Sequence, residues 1–258
     1  MIDIHCHVLF DADDGAEDLD MSLAMCRLAA EDGIKEIIAT PHFIVGDRNE
    51  KQVKDKVRLL NEELVRKNID IRIYPGNEIF IDIDMASRLS SGECLSLNGS
   101  RYVLVEFPML EMPRYSSDAL YELKLKGYIP IIAHPERNKY IQQNAEYVYQ
   151  LVSEGCLMQV NSSSIIGHSG DEARKLALQL VNHDMVHFIA SDSHSTGRRR
   201  TMLSASRRVL SEACRIDRLD ELYFDNARRV LDNQSLDIAE PIPIKRKKSL
   251  FQIIGLKK

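Results

Sequence analysis

The sequence lacks the cysteine patterns that support disulfide-rich domains or thiolate metal sites. Its five cysteines, an odd number, include no C-x-x-C pair, so neither a disulfide framework nor a thiolate zinc site is indicated. We therefore expect the protein to reside in a reducing compartment. A chain of 258 residues buries roughly three-quarters of its unfolded surface, so a hydrophobic core alone can stabilise it.

Leader-like and membrane-spanning segments are also absent from the sequence. The chain passes from Met1 directly into an isoleucine- and histidine-containing segment without a basic or apolar leader. No stretch approaches the ~20 apolar residues that span a bilayer. These observations predict a cytoplasmic protein.

Acidic residues outnumber basic ones over residues 1–240, and the C-terminal segment reverses this balance. The last 18 residues hold six basic residues and no acidic ones, so residues 1–240 carry 28 basic and 39 acidic side chains, a net charge of −11. An acidic body argues against nucleic-acid binding. We predict a folded body over residues 1–240 and a basic amphipathic tail over 241–258. The tail is either a solvated terminus or a short helix that contacts an anionic membrane surface or an acidic partner.

Short β-branched runs alternate with longer amphipathic segments up to about residue 232. The predicted strands are 2–5, 36–40, 71–75, 102–107, 129–133, 157–161 and 187–191. The predicted helices are 17–32, 50–67, 82–90, 117–126, 146–154, 172–182 and 199–215. Seven such units in a row indicate a single α/β domain with a closed or nearly closed parallel barrel. An open doubly wound sheet is the alternative, but G-x-G-x-x-G and P-loop motifs are absent.

Metal-competent side chains follow the predicted strands at their C-terminal ends. In chain order they are His5, His7, His42, Glu78, Glu106, His134, Asp192 and His194, with Asp14 in the loop after the first strand. In a βα barrel these ends converge on one face, so we expect the side chains to meet there. Five imidazoles and four carboxylates are enough for two or three ions. Without thiolate or thioether, the set suits Mn, Fe or Zn.

Neighbouring divalent ions and arginines together indicate phosphoester hydrolysis. One ion can activate water while the others hold the phosphate oxygens. Arg137 follows His134 by three residues, and Arg198, Arg199 and Arg200 follow His194; such arginines can clamp phosphate in a bidentate way. We favour Arg137 and Arg199 as catalytic residues. A cysteine-based phosphatase is excluded because no cysteine is followed by Arg six residues later.

Seven short motifs, taken together and in order, resemble the PHP (polymerase and histidinol phosphatase) superfamily over residues 1–232. They are His5-Cys6-His7, Asp13-Asp14-Gly15, Ala39-Thr40-Pro41-His42, Gly76-Asn77-Glu78, Ala133-His134-Pro135-Glu136-Arg137, Asn161-Ser162-Ser163-Ser164 and Ala190-Ser191-Asp192-Ser193-His194. Within the superfamily, the sequence is similar to the manganese-dependent protein-tyrosine phosphatases of bacterial capsule and exopolysaccharide synthesis.

The resemblance implies a distorted seven-stranded TIM-like barrel that holds three divalent ions, Mn²⁺ in the first place and Fe or Zn as alternatives. It implies one ion at His5, His7, Glu78 and Asp192, a second at Glu78, Glu106 and His134, and a third at Asp14, His42 and His194. Either Glu78 or Glu106 bridges the ions, and Asn161 receives no ligand role.

The resemblance also implies a substrate and a mechanism. The substrate would be phosphotyrosine in the C-terminal tail of a membrane-associated bacterial tyrosine kinase, hydrolysed by attack of a metal-bound hydroxide while Arg137 and Arg199 neutralise the phosphate oxygens. A phosphatase for histidinol phosphate or another small phosphomonoester is the first alternative. A non-catalytic module that binds phosphotyrosine tails is the second. A homo-oligomer is compatible with the sequence.

Overall fold

Parallel strands and helices alternate along the chain in the computed structural model, which describes residues 1–45, 50–214 and 217–244. The strands are β1 (Ile2–Cys6), β2 (Glu36–Ala39), β3 (His42–Phe43), β4 (Arg72–Pro75), β5 (Glu78–Phe80), β6 (Tyr102–Glu106), β7 (Ile129–Ala133), β8 (Leu157–Asn161) and β9 (Phe188–Ala190). The α-helices are α1 (Leu19–Glu31), α2 (Glu50–Arg66), α3 (Met85–Ser91), α4 (Ser116–Leu125), α5 (Lys139–Gln143), α6 (Glu146–Ser153), α7 (Ser162–Ile165), α8 (Asp171–Asn182), α9 (Leu203–Ala213) and α10 (Asn226–Leu231). The predicted α/β class is confirmed.

The strands pair in parallel and in an order that follows the chain. One sheet has the order β1-β2-β4 and the other β3-β5-β6-β7-β8-β9. Two of the predicted strands are followed, after a two-residue break, by a further short strand that was not predicted: Thr40 and Pro41 separate β2 from β3, and Gly76 and Asn77 separate β4 from β5. Beyond β9, Ser193 forms a bridge with Cys6 of β1. The first and last strands are therefore neighbours.

Both faces of the strands are buried, as is usual for parallel sheets. Alternate strand residues, such as Val103, Ile132 and Val160, pack against the helices in an outer cluster. The residues between them, such as Leu104 and Ile131, form an inner cluster with residues of α10. Because side chains alternate along a strand, β1, β2, β6, β7, β8 and β9 each contribute to both clusters.

Two of the predicted metal ligands continue the inner-facing side-chain positions of their strands. On β6, Tyr102 and Leu104 belong to the inner cluster, and Glu106 follows with the same period of two. On β9, Phe188 and Ala190 precede Asp192 in the same way. On β6 and β9 the apolar alternation therefore aims Glu106 and Asp192 at one common region.

β1 departs from this alternation. Its pairing with β2 has a register irregularity between Asp3 and Cys6. Ile2 and Ile4 lie in the inner cluster, whereas Cys6 lies in the outer one. A bulge of this kind re-aims side chains, and here it turns His5 and His7 toward the other strand ends.

The helix predicted over 199–215 begins later than expected. α9 starts at Leu203, because Arg199 is held in the preceding loop: its carbonyl oxygen accepts hydrogen bonds from the backbone N–H of His194 at 2.9 Å and from Ser193 Oγ at 3.0 Å. The Asp32 carboxylate then caps α9, accepting the Leu203 backbone N–H at 2.7 Å. Capping by a residue 171 positions away leaves no local signal. The short helices α5, α7 and α10 were likewise not predicted.

Most of the predicted basic tail, residues 245–258, lies outside the described residues. Residues 241–244 are described, and the Ile242 backbone N–H donates to the His183 carbonyl oxygen at 2.9 Å. Among the helices of the described ranges, none has the length and apolarity needed to cross a bilayer.

Candidate metal centre

The structure brings all nine predicted ligands together at the C-terminal ends of the strands. Four groups have donor atoms within 4.8 Å of one another: His7, Asp14, His42 and His194; His5, Glu78 and His134; His5, His7 and Asp192; and His42, Glu78 and Glu106. The groups share members, so they form one continuous cluster. The structure thus supports the predicted position of each side chain, while metal ligation remains a prediction.

Glu78 lies at the centre of the cluster. Its carboxylate oxygens lie 3.3 Å from His5 Nε2, 3.2 Å from His7 Nε2 and 3.0 Å from His134 Nε2, and Oε2 lies 3.2 Å from His42 Nδ1. Glu106 is more peripheral, at 3.7 Å from His134 Nε2 and 3.8 Å from His42 Nδ1. Of the two candidate bridging carboxylates, Glu78 therefore has the geometry to serve two ions.

The donor groups differ in one respect from the ligand sets that the resemblance implies. His7 lies with Asp14, His42 and His194 as well as with His5 and Asp192, and the His7 and His194 rings stack with centroids 3.8 Å apart. His42 reaches both Asp14 and Glu78, at 3.7 Å and 3.2 Å. His7 and His42 are thus positioned between neighbouring groups.

The electrostatics of the cluster fit divalent cations. Burial opposes protonation of His5 and His7, yet the Glu78, Asp192 and Asp13 carboxylates outweigh it and raise the pKa of His5 to about 9 and of His7 to about 10. The same contacts outweigh burial at Glu78 and hold its pKa well below the usual range. Buried carboxylates held this way require positive charge beside them.

His194 provides an unprotonated donor in the same cluster. Burial, together with the positive charge on His7, lowers the pKa of His194 to about 4. Within the described chain, His194 Nε2 is buried and makes no hydrogen bond, and it lies 3.3 Å from Asp14 Oδ1. A buried, neutral imidazole nitrogen beside a carboxylate fits a metal ion, and imidazole and carboxylate together suit Mn, Fe or Zn.

Unusual backbone conformations aim two of these side chains. His134 has φ 33° and Asp192 has φ 51°, both in the left-handed region that β-carbon-bearing residues seldom adopt. Such conformations cost of order 1–3 kcal/mol each and concentrate at functional sites. Gly15 serves a similar end, because a Cβ there would lie 2.1 Å from the His7 carbonyl oxygen. The loop that carries Asp14 can therefore approach β1 only with glycine at this position.

Three further residues position the predicted ligands, and the sequence did not reveal their roles. Gln159 Oε1 lies 2.9 Å from His5 Nδ1, and Gln159 Nε2 donates to Asn161 Oδ1 at 2.8 Å. Asn161 Nδ2 donates to Asp192 Oδ2 at 2.8 Å. Asp13 Oδ2 lies 2.6 Å from His7 Nδ1 and accepts the His42 backbone N–H at 2.9 Å. One sequence signal could have revealed Gln159: it lies two residues before Asn161 on β8, so the strand period of two places both side chains on the same face.

The two predicted catalytic arginines meet at Asp192. Arg137 Nη1 donates to Asp192 Oδ2 at 2.7 Å, and Arg199 Nη2 donates to Asp192 Oδ1 at 3.2 Å. Arg199 Nη1 also lies 3.6 Å from Asp14 Oδ2. Arg198 and Arg200 form no ion pair with any residue in the described ranges. Among the three consecutive arginines, Arg199 is therefore the one beside the cluster.

A comparison with protein families also bears on this cluster of histidines, carboxylates and arginines. Residues 1–232 match the family model described as "Capsular polysaccharide synthesis, CpsB/CapC". This chain belongs to that family. The family resemblance inferred from the motifs is confirmed.

Relatives in the family carry named activities. The chain is 40% identical over 250 residues to the tyrosine-protein phosphatase YwqE of Bacillus subtilis, covering 96% of this chain and 98% of that protein. It is 35% identical over 256 residues to the putative tyrosine-protein phosphatase CapC of Staphylococcus aureus, covering 98% and 100%. A solved chain from work on YwqE and Streptococcus pneumoniae CpsB, described as unique metal-dependent tyrosine phosphatases, matches with TM-score 0.92 and 39% identity, covering 95% of this chain and 100% of that chain. The predicted enzyme class agrees with these names.

Proposed function

We propose that this chain is a metal-dependent phosphatase that hydrolyses phosphotyrosine in proteins, in the setting of capsular polysaccharide synthesis. The observation that carries the proposal is the junction at Asp192, where the predicted metal cluster meets Arg137 and Arg199. A phosphate placed there would contact both the cations of the cluster and two guanidinium groups. The names of the relatives, tyrosine-protein phosphatases that cover nearly the whole chain, support the choice of substrate.

The site residues have two proposed roles, metal binding and phosphate binding. Divalent ions, when bound by His5, His7, Asp14, His42, Glu78, Glu106, His134, Asp192 and His194, would supply an activated water and neutralise charge on the phosphate. Arg137 and Arg199 are anchored by Asp192 on opposite oxygens, so their remaining N–H groups are preorganised to bind phosphate oxygens as charge develops. Tyrosine, with a phenol pKa of ~10, is a moderate leaving group.

We propose Mn²⁺ as the metal and a distorted seven-stranded TIM-like barrel as the fold. Oxygen and imidazole donors without thiolate favour Mn, Fe or Zn over copper. For the barrel, the support is the contact between the first and last strands: the His7 backbone N–H donates to the Ser193 carbonyl oxygen, and the Asp192 N–H to the His5 carbonyl oxygen, each at 2.9 Å.

We further propose that the phosphotyrosine lies in the tail of a membrane-associated bacterial tyrosine kinase and that the protein works in the cytoplasm. The family's role in capsule synthesis supports a partner from that pathway. All five cysteines lie in the described ranges as buried, free thiols, which is typical of a reducing compartment.

Phosphate release from two substrates tests the proposal. The protein is stripped with EDTA and assayed with a phosphotyrosine peptide and with histidinol phosphate, with and without added Mn²⁺. Manganese-dependent turnover of the peptide is expected. Preference for histidinol phosphate would overturn the substrate, and no turnover of either would indicate a binding module instead. His5→Ala should abolish turnover after metal is restored.

A further inference from the structure

A wide basic cavity lies beside the metal cluster. It has a volume of about 710 Å³, and its wall includes the basic side chains Arg137, Lys139, Arg198, Arg199 and Arg200. Sites that enclose a small ligand measure roughly 300–1,000 Å³, so this cavity has room for more than a phosphate group. We call it the basic groove.

The basic groove differs in charge from the rest of the molecule. The chain has a net charge of −5, yet Asp192 is the single acidic side chain in the described wall of the groove. Both oxygens of that carboxylate are already paired, one with Arg137 and one with Arg199. The groove therefore keeps a local excess of positive charge on an acidic protein.

Three cations in the groove are not used by the phosphate site. Arg198 and Arg200 are exposed and have no ion-pair partner among the residues the structure describes. The third, Lys139, is exposed, and its Nζ donates only to the neutral Gln142 Oε1, at 3.1 Å, within those ranges. Exposed, unpaired cations of like sign repel one another, so a single-sign groove of this kind is unfavourable unless an anionic ligand occupies it.

We propose that the basic groove binds acidic residues that flank the phosphotyrosine in the substrate peptide, with Arg198, Arg200 and Lys139 as specificity-determining residues. The inference rests on the proposed phosphatase function and names the class of peptide that the site prefers. Because Arg199 is anchored at Asp192 with Arg198 and Arg200 on either side of it in the chain, a peptide whose phosphate reaches Arg199 brings its neighbouring residues to these two arginines. Aspartate or glutamate side chains there form charge-assisted hydrogen bonds.

Steady-state kinetics on matched peptides test the proposal. Three phosphotyrosine peptides are compared, with acidic, neutral or basic residues on both sides of an identical phosphotyrosine. We expect kcat/KM for the acidic peptide to exceed that for the neutral one by about tenfold, since each of two or three exposed ion pairs contributes roughly two- to fivefold. The effect should lie mainly in KM, and the preference should shrink as salt rises from about 0.05 M to about 0.5 M.

Charge-reversal variants test whether Arg198 and Arg200 cause the preference for the acidic peptide. In the double variant Arg198→Glu with Arg200→Glu, the acidic-to-neutral ratio should fall to about one or below. The matched control reverses Lys67 and Lys126, exposed lysines that precede β4 and β7 at the opposite end of the strands; this control has the same change in net charge and should keep the wild-type ratio. The milder pair Arg198→Gln with Arg200→Gln gives the same test where the reversed variant is poorly folded.

The outcomes separate the inference from the function on which it rests. No hydrolysis of any phosphotyrosine peptide would refute the proposed function itself. Hydrolysis of all three peptides at equal kcat/KM would refute the groove while leaving the phosphatase function intact. A preference that survives reversal of Arg198 and Arg200, or that disappears equally in the Lys67 and Lys126 control, would also refute it.

Discussion

The side-chain oxygen of Gln159 lies 2.9 Å from Nδ1 of His5. An amide oxygen can only accept, so His5 carries a proton on Nδ1, and its Nε2 faces Glu78 and Asp192. Both residues are fully buried. Through Asn161, the same glutamine is connected to Asp192. One residue of β8 therefore positions two predicted ligands that are 187 positions apart in the chain.

Replacing Gln159 should weaken metal binding. In Gln159→Leu the His5 ring loses the group that sets its tautomer, and Asn161 loses its donor, so we expect the affinity for Mn²⁺ to fall by roughly 10–100-fold. Competition against a chelator measures this directly. Gln150→Leu, on the exposed side of α6, is the control. An unchanged Mn²⁺ affinity in a folded Gln159→Leu protein would contradict the positioning role.

Removing metal should destabilise the protein. Cations bound only by the folded chain stabilise it by about 2.7 kcal/mol at a hundredfold excess over Kd, which corresponds to a rise in Tm of roughly 5–10 °C for a domain of this size. Thermal unfolding of EDTA-treated protein with and without Mn²⁺ measures the shift. Glu78→Gln should lose most of it, because Glu78 contacts four imidazoles. His168→Ala, an exposed histidine outside the donor groups, should retain it.

Arg137 should matter for turnover more than for metal binding. Arg137→Ala removes a preorganised donor for the phosphate, and losing one such donor costs about 10²–10³ in rate. Asp192 keeps its contact with Arg199, so we expect only a small change in Mn²⁺ affinity. Steady-state assays on a phosphotyrosine peptide supply the measurement, with exposed Arg208→Ala as the control. A loss of less than about threefold would argue against a role in phosphate binding.

His187 should make folding sensitive to acid independently of the metal cluster. Burial and the nearby Arg218 lower the pKa of His187 to about 3 from 6.5. The folded state keeps this imidazole neutral while the unfolded state protonates it below pH 6.5, so its contribution is complete above that pH and is lost as pH falls toward 3. At pH 5 the loss is about 2 kcal/mol.

The variant His187→Asn isolates this contribution. His187 Nδ1 accepts the Met158 backbone N–H at 3.0 Å, and an asparagine oxygen can replace that acceptor without titrating. Urea unfolding of metal-free protein at pH 7 and pH 5 should show a smaller decrease for the variant than for the wild type. Equal decreases would show that His187 does not titrate on unfolding.

The candidate site was predictable because its ligands occupy regular positions. Glu106 and Asp192 each follow a short apolar strand, and the period of two places each on the face of the preceding inner residues. His134 is out of phase with the inner residues Ile131 and Ala133, and its left-handed backbone, with φ 33°, aims it at the cluster. The sequence offered less basis for choosing Arg199 over Arg198 and Arg200, since three consecutive arginines have the same local sequence pattern. It depends on which guanidinium reaches Asp192, 7 residues earlier in the chain.

The sequence by itself determined the alternation of strands and helices, the polar residue at each strand end and hence the chemistry of the cluster, because these follow from periodicities of a few residues. Tertiary structure alone decided which metal-competent side chains lie close together and that Gln159, Asn161 and Asp13 position them. It also decided that Asp32 caps α9 and that Asp192 contacts both arginines. Most of these relationships join residues that are 31 to 171 positions apart in the chain, at separations of 2.7–2.9 Å. Local sequence carries no information on such distances, because they depend on how the strands pair.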